Sequence, residues 1–495
     1  MASRHAFIRH ADASLKLPSL RTVPRTVYSL AWWLAMPLVL ARLWWRGRRE
    51  PGYRRHWGER FGCYAGMATG VDDSAVADTR PVLWVHAVSV GETRAAAPLI
   101  EALLAAYPSH RILLTHMTPT GRATGAALIA ATARSEDAGH AGHAGHTGHA
   151  VAPMIAPRIV QRYLPYDTIL FVTRLLKHYR PAICLLIETE VWPNLVACCQ
   201  AAGVPVALVN ARLSERSLAR GERLRSLLAP AAAGLAWTGA QTDADAMRLR
   251  SLGAAPVEVT GSLKFDVVPP PVQLARGEAW RRRFGRRPVL LLASTREGEE
   301  ALILAALKSM PLPPRVMLIL APRHPQRFDA VADLVAKHGF ILQRRSLLAD
   351  TDTDMPLPGA NQILLADSMG ELFTWYAVAD LAFIGGSLMP LGGQNLIEAC
   401  AAGTPVLIGP SSFNFAGVTR DAIDAGAAVQ VEDAASMLST ARLLLDDAAL
   451  RGAMAGAARQ FAARHRGATA RTLAGLRPLL DAPSGMQDRG KPSGM

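Results

Sequence analysis

Leu83-Trp84-Val85-His86-Ala87-Val88-Ser89-Val90-Gly91-Glu92 runs from an apolar segment through a small-residue turn to a single carboxylate. The residues that follow, Thr93 to Leu104, carry apolar side chains at helical spacing. A buried strand that ends in glycine where a helix begins is the repeating unit of open parallel α/β sheets, which place their ligands there. Glu92 then stands beside backbone N–H groups that the helix leaves over, at the positive end of its dipole. A carboxylate in that place is either a helix-start residue or a catalytic group, and position alone leaves both readings open.

The same pattern continues on both sides. Val82 to Val88 reads as a strand, Thr93 to Ala106 as a helix and Arg111 to His116 as a second strand, with Thr118-Pro119-Thr120-Gly121 as a turn. The pattern resumes at Gln161. Strands are expected at Ala182 to Ile187, Val206 to Val209, Leu235 to Thr238 and Val257 to Thr260, each ending in polar residues. Strands alternating with helices in this way indicate a parallel sheet covered on both faces. Three of the strand ends offer titratable groups: Glu92, Glu188 and Lys264.

A Pro-rich linker is expected at Val267 to Pro271, followed by a charged helix over Arg276 to Arg287. A second α/β unit begins at Pro288. Its strands are Val289 to Ala293, Val316 to Leu320, Phe340 to Gln343, Gln362 to Leu365, Leu381 to Ile384 and Val406 to Ile408. Gly392-Gly393 leads into a helix opened by Gln394-Asn395-Leu396-Ile397-Glu398, a pattern that can receive an anion, although turns also need glycine. Arg323 supplies a full charge for phosphate at another strand end, and Glu398 suits the hydroxyls of a ribose.

A chain of 495 residues requires more than one core. Its five cysteines, Cys63, Cys184, Cys198, Cys199 and Cys400, show no CxxC spacing. That argues for a reducing compartment and against structural zinc. The net charge of +14 is concentrated at one end: residues 1–60 hold 12 Lys/Arg against 3 Asp/Glu. Such a distribution does not suit a nucleic-acid binder. The charge surrounds an apolar segment, Val27 to Trp45, with Trp32, Trp33, Trp44 and Trp45 towards its two ends and Arg46, Arg48, Arg49, Arg54 and Arg55 after it. This reads as a membrane anchor with a cytoplasmic basic flank, either spanning the bilayer or lying on it. Residues 1–26 read as a poorly ordered leader, or as the product of a misplaced start codon. Gly139 to His149, with histidine at every third position, reads as part of a flexible surface insertion at about 135–155 whose metal binding would be adventitious.

The expected architecture is therefore α/β, with two doubly wound Rossmann-like domains facing a cleft, as in GT-B glycosyltransferases. The expected limits are a leader (1–26), an anchor with its basic flank (27–60), an acceptor domain (61–270), a nucleotide-sugar domain (271–483) and a disordered tail (484–495).

The motifs Ser89-Val90-Gly91-Glu92, Thr118-Pro119-Thr120-Gly121, Tyr163-Leu164-Pro165-Tyr166-Asp167 and Glu188-Thr189-Glu190-Val191-Trp192-Pro193-Asn194 occur in this order. They are followed by Asn210-Ala211-Arg212-Leu213-Ser214, Gly261-Ser262-Leu263-Lys264-Phe265-Asp266, Pro322-Arg323-His324-Pro325, Asp367-Ser368-Met369-Gly370-Glu371 and Gly409-Pro410. The series resembles the bacterial, lipid A-specific 3-deoxy-D-manno-octulosonic acid (Kdo) transferases over about residues 28–480. The leader, the His-rich insertion and the tail depart from that pattern without touching a motif.

The resemblance implies that Glu92 is the general base and that Glu188 and Lys264 stabilise the transition state. It also implies that Pro322, Arg323, Met369, Gly370, Glu371, Asn395, Leu396, Ile397 and Glu398 bind CMP. The implied reaction moves Kdo from CMP-Kdo to a lipid A precursor with inversion, at the cytoplasmic face of the inner membrane, with no cofactor and no metal. Read from the residues themselves, Glu188 could equally orient Lys264 or a backbone turn. Arg212 could meet an acidic acceptor group or form a cap or ion pair. A nucleotide-sugar epimerase and a membrane-tethered binding protein are the competing classes. The anchor argues against the first, and the joint presence of Glu92, Glu188 and Lys264 against the second.

Overall fold

The computed structural model describes residues 23–64, 79–141, 158–348 and 362–481. Residues 1–22 of the expected leader, the histidines from His143 to His149 and the tail from 484 onward lie outside the described residues.

The chain forms two compact units. One runs to Ser262 and takes up the chain again from Thr469; the other is Leu263–Ala468. The first unit holds β1 (Val82–His86), β2 (Arg111–His116), β3 (Ile159–Tyr163), β4 (Pro181–Ile187), β5 (Val206–Ala211), β6 (Trp237–Ala240) and β7 (Val257–Val259). All neighbours pair in parallel, in the order β3-β2-β1-β4-β5-β6-β7. Every residue of β1 and β2 is buried, which is why these strands read as continuous runs rather than alternating ones. Helix Val90–Ala106 follows β1 and buries Ala95, Ala96, Leu99, Ile100, Leu103 and Leu104 along one stripe.

The second unit holds β8 (Val289–Thr295), β9 (Met317–Pro322), β10 (Ile341–Arg344), β11 (Gln362–Leu365), β12 (Leu381–Ile384), β13 (Val406–Ile408) and β14 (Ala428–Gln430). Their order is β10-β11-β9-β8-β12-β13-β14, again all parallel. Apolar clusters cover both faces of this sheet. The expected fold class of two parallel-sheet α/β domains is thus observed.

Several boundaries differ from the sequence expectation. Lys264 belongs to the second unit rather than to an acceptor domain ending at 270. Phe265, in the 3-10 turn Leu263–Asp266, packs edge-on against Phe461 and stacks on His465 in the core of the second unit. Asp266 accepts a hydrogen bond from the Gly467 N–H at 2.6 Å. Pro271, expected to close a linker, instead opens helix Pro271–Phe284. Proline is tolerated in a first helical turn because its missing N–H would have no partner there. Helix Ala468–Leu480, expected in the second domain, returns to the first unit, where Arg471 donates to the Thr260 carbonyl and Tyr107 donates to Asp481. Thr118-Pro119-Thr120-Gly121 is the start of helix Pro119–Ala141, not a turn; the Thr118 hydroxyl accepts from the Gly121 N–H at 3.0 Å.

The N-terminal helix is Val23–Arg49, so residues 23–26 belong to it rather than to a leader. Arg25–Arg48 is long and apolar enough to cross a membrane. One face docks on the first unit. Tyr28 donates to Asp167 at 2.9 Å, Ser29 donates to Asn194 at 3.1 Å, and Trp32 and Trp33 pack on Tyr166 and Phe171. Met36 and Leu43 are buried in the same cluster. The opposite face leaves Val27, Leu30, Leu34 and Leu38 exposed.

Candidate active site

In a doubly wound sheet the crevice for ligands lies at the carboxyl ends of the strands from which the chain departs in opposite directions. In the first unit those strands are β1 and β4, and in the second β8 and β12. Glu92 and Glu188 stand at the first of these places and Asn395 to Glu398 follow the second, while Arg323, Met369 to Glu371, Arg212 and Lys264 stand at or after other elements.

At the end of β1, Ser89 caps helix Val90–Ala106 and Glu92 occupies the third position of the helix. The Glu92 carboxylate accepts from the Val88 N–H at 2.7 Å and from the Ser89 hydroxyl at 3.0 Å. This resembles a capping box and fixes the side chain. The loop beneath is equally constrained. Thr118 donates to the Val88 carbonyl at 3.2 Å, and a Cβ on Gly121 would sit 2.9 Å from the same oxygen, so only glycine allows this approach. His116 Nδ1 lies 2.9 Å from the Ala87 carbonyl. Burial, above all, holds the His116 pKa down at about 4, and that of His86 at about 3 with help from His116, so both rings are neutral supports.

At the end of β4, Glu188 has a φ of 66°, a left-handed conformation costing on the order of 1–3 kcal/mol for a side chain of this kind. Asn210 at the end of β5 (φ 56°) and Ser294 in β8 (φ 57°) share it. Two residues on, Glu190 is half-buried. Burial pushes its carboxyl up to about 7; the charge on Glu92 adds to the rise, the nearby Trp192 indole N–H opposes it, and Glu188 contributes less. The structure therefore brings Glu92, Glu188 and Glu190 together. Glu190 was not singled out in the sequence, although its place in Glu188-Thr189-Glu190 was visible there. Its importance comes from β1 and β4 being neighbours.

Lys264 is not part of this cluster within the first unit. It stands in the second unit, with its ammonium 5.7 Å from the centre of the Phe415 ring. Arg212 follows β5 and is exposed.

In the second unit Pro322 ends β9 and is buried. The Arg323 N–H donates to the Thr295 carbonyl at 3.0 Å, and its guanidinium donates to Gln394 at 3.1 Å. Asn395 accepts from the Ile397 N–H at 3.0 Å and donates to Glu398 at 3.3 Å. Leu396 and Ile397 belong to the core, so only their backbone can face a ligand. The Glu371 carboxylate is taken up by Arg276, Arg345 and Ser368, which fixes the segment of exposed Met369 and left-handed Gly370. Glu299, which sequence reading also passed over, is wholly buried. It accepts from the N–H groups of Arg296, Gly386, Ser387 and Leu388, clamping the loop after β12. Among the described residues no group of three or more His, Cys, Asp or Glu side chains is arranged to hold a metal ion.

Comparison with known proteins adds to this geometry. Residues 55–267 match the family profile described as 3-Deoxy-D-manno-octulosonic-acid transferase (kdotransferase). The chain is 44% identical over 462 residues to a 3-deoxy-D-manno-octulosonic acid transferase of Bordetella pertussis, covering 92% of this chain and 99% of that protein. It is 31% identical, with the same coverage, to one of Haemophilus influenzae. In structure it is similar to a putative UDP-N-acetylglucosamine 2-epimerase from Listeria monocytogenes, with a TM-score of 0.50, 15% identity, and coverage of 81% of this chain and 97% of that one. At that identity the likeness concerns the fold alone.

Proposed function

Because the chain belongs to the 3-deoxy-D-manno-octulosonic acid (Kdo) transferase family, we propose that it transfers Kdo from CMP-Kdo to a lipid A precursor at the cytoplasmic face of the inner membrane. The observation that carries this reading is the position of Glu92. It is a fixed carboxylate at the sheet's switch point, beside two further carboxylates. A sugar hydroxyl becomes an adequate nucleophile when its proton is removed as the new bond forms. Val88 and Ser89 hold the Glu92 carboxylate in one orientation, and a carboxylate so held can take the acceptor proton.

The acceptor oxygen forms its bond to the anomeric carbon of Kdo while the bond from that carbon to the phosphate oxygen breaks. CMP leaves with the electron pair, and Glu92 takes the proton. Attack opposite the leaving group inverts the anomeric centre. Arg323, oriented by Gln394, balances the phosphate charge without a metal ion. Glu398 and Asn395 take the ribose hydroxyls, and Pro322, Leu396, Ile397 and the Met369-Gly370-Glu371 segment complete the CMP site. Lys264 balances charge developing on the donor, and Glu188 stabilises the same transition state. The exposed apolar face of helix Val23–Arg49 and the arginines after it hold the enzyme to the lipid surface.

The test is mass analysis of the product formed from CMP-Kdo and a lipid A precursor dispersed in detergent, with NMR of the new anomeric linkage. A Kdo-bearing lipid with inverted configuration supports the reading. Release of CMP with free Kdo as the sole product contradicts it.

A further inference from the structure

A cavity of about 650 Å³ lies in the first unit between the N-terminal helix, the segment after β4 and helix Arg225–Ala233. Val27 and Ala31 form one wall, Val191 and Trp192 another, and Leu227 and Leu228 a third. Its volume is in the range of sites that enclose a small molecule. The lining is mostly apolar, with Tyr28, Thr189, Glu190 and Ser226 as its polar members apart from the Trp192 indole N–H. The cavity is also preformed, since the bonds from Tyr28 to Asp167 and from Ser29 to Asn194 fix the helix against the rest of the unit.

Three observations limit what the cavity can hold. First, its lining offers no cation for a phosphate and little for a sugar, so the occupant is a hydrocarbon. Second, one wall belongs to a helix whose outer face exposes Val27, Leu30, Leu34 and Leu38, and Leu224, another lining residue, is also exposed. The mouth therefore adjoins the surface that an apolar phase would cover. Third, Glu190 lies at the cavity and is close enough to Glu92 and Glu188 to feel their charges. A hydrocarbon chain in the cavity would have its polar end beside the carboxylates that act on the acceptor.

We propose that the cavity binds one acyl chain of the lipid acceptor and thereby sets the acceptor sugar against Glu92; this rests on the proposed Kdo transfer to a lipid. A phospholipid of the surrounding bilayer offers the same hydrocarbon, but its head group has no reason to lie at the catalytic carboxylates. Glu190, protonated in part near neutrality, can donate to a carbonyl or hydroxyl at the head of the chain.

The experiment compares the acylated lipid A precursor with its fully deacylated sugar phosphate, using the full-length enzyme, its Ala31→Trp variant and its Leu227→Trp variant. Filling the cavity is expected to lower the ratio of kcat/KM for acylated over deacylated acceptor by at least about tenfold, the scale on which an apolar pocket discriminates. If the unaltered enzyme transfers Kdo to neither acceptor, the functional reading fails. If it transfers normally and both variants keep the wild-type ratio, the cavity proposal fails and the functional reading stands. Should a tryptophan variant not fold, the unaltered enzyme is photolabelled with an acceptor bearing a diazirine on its acyl chain. Labels on the peptide carrying Leu227–Leu228, undiminished by phosphatidylethanolamine vesicles, support the proposal. Labels confined to the helix Val23–Arg49, or removed by those vesicles, overturn it.

Discussion

Replacing Glu92 by glutamine separates the two readings of this carboxylate. As a helix-start residue, Glu92 accepts from the Val88 N–H and the Ser89 hydroxyl. Glutamine keeps an amide oxygen for Val88, and its NH2 group can donate to Ser89 once that hydroxyl turns. What is lost is the charge at the helix N-terminus, worth about 0.3–1 kcal/mol. Relief of repulsion with Glu190 offsets part of that. The folded state should therefore lose less than about 1 kcal/mol. Catalysis should suffer far more, because an amide cannot take the acceptor proton. Loss of a general base lowers turnover by about 100-fold or more, which is roughly 2.7 kcal/mol in the barrier. CMP release in detergent, with CMP-Kdo and acceptor saturating, measures the rate, and urea denaturation measures stability. Glu92→Ala is the contrasting variant, since it also removes the acceptors and should cost about 0.5–2 kcal/mol of stability. Turnover of Glu92→Gln within about threefold of wild type, with unchanged stability, would refute the base assignment and leave the capping role alone.

The remaining expectations concern donor, pH and membrane. Arg323→Ala should weaken CMP binding by about 1.5–3 kcal/mol in calorimetric titration, and EDTA should leave the transfer rate unchanged; a rate lost to EDTA and restored by magnesium would remove the metal-free mechanism. The Glu190 pKa is raised to about 7 in the folded protein from an ordinary value of 4.5, so its contribution to stability is present in full below pH 4.5 and is lost as pH rises through 7. Glu190→Gln should abolish that loss, by on the order of 2–3 kcal/mol in denaturation at pH 8 relative to pH 4.5. Tyr28→Phe removes a donor to the buried Asp167 carboxylate, at a cost of about 1–3 kcal/mol, and should speed hydrogen exchange in residues 23–49. Arg48→Gln with Arg55→Gln should reduce binding to anionic vesicles by about 1 kcal/mol per arginine, an effect that vanishes at high salt.

Most of the sheet was legible in the sequence because strands covered on both faces are uninterrupted apolar runs. Gln362–Leu365, Leu381–Ile384 and Val406–Ile408 were read with their observed limits. The three-residue β14, Ala428–Gln430, was missed, since so short a run carries no period. Proline misled twice. Pro119 and Pro271 looked like a turn and a linker, but each opens a helix. The last helix, Ala468–Leu480, is recognisable as a helix, yet nothing in its apolar stripe says which unit it covers. At the site, Glu92 and Glu188 stand out as polar ends of apolar strands. Glu190 does not, because its neighbour Glu92 is 98 positions away and is brought near by the adjacency of β1 and β4. Glu299 was hidden for a similar reason: it looks like an ordinary first-turn acid until the loop after β12 folds over it.

Asp167 links the apolar helix to the site. Its carboxylate accepts from Tyr28, near the start of the N-terminal helix, and from the N–H groups of Asn194 and Leu195. Those two residues open helix Pro193–Ala201, directly after the Glu188–Trp192 segment. Burial raises the Asp167 pKa to about 6, against the pull of its three donors, so the group is confined rather than solvated. The contacts from Tyr28 to Leu43 occupy one face along most of the helix. A helix crossing a bilayer alone could not keep them without drawing Asp167 and Asn194 into hydrocarbon, where unmatched polar groups are costly. In the proposed function the helix lies along the lipid surface, which keeps every one of these bonds while its outer leucines face lipid. On that proposal the carboxylates after β1 and β4 meet a lipid acceptor that has one acyl chain seated in the cavity beside Glu190.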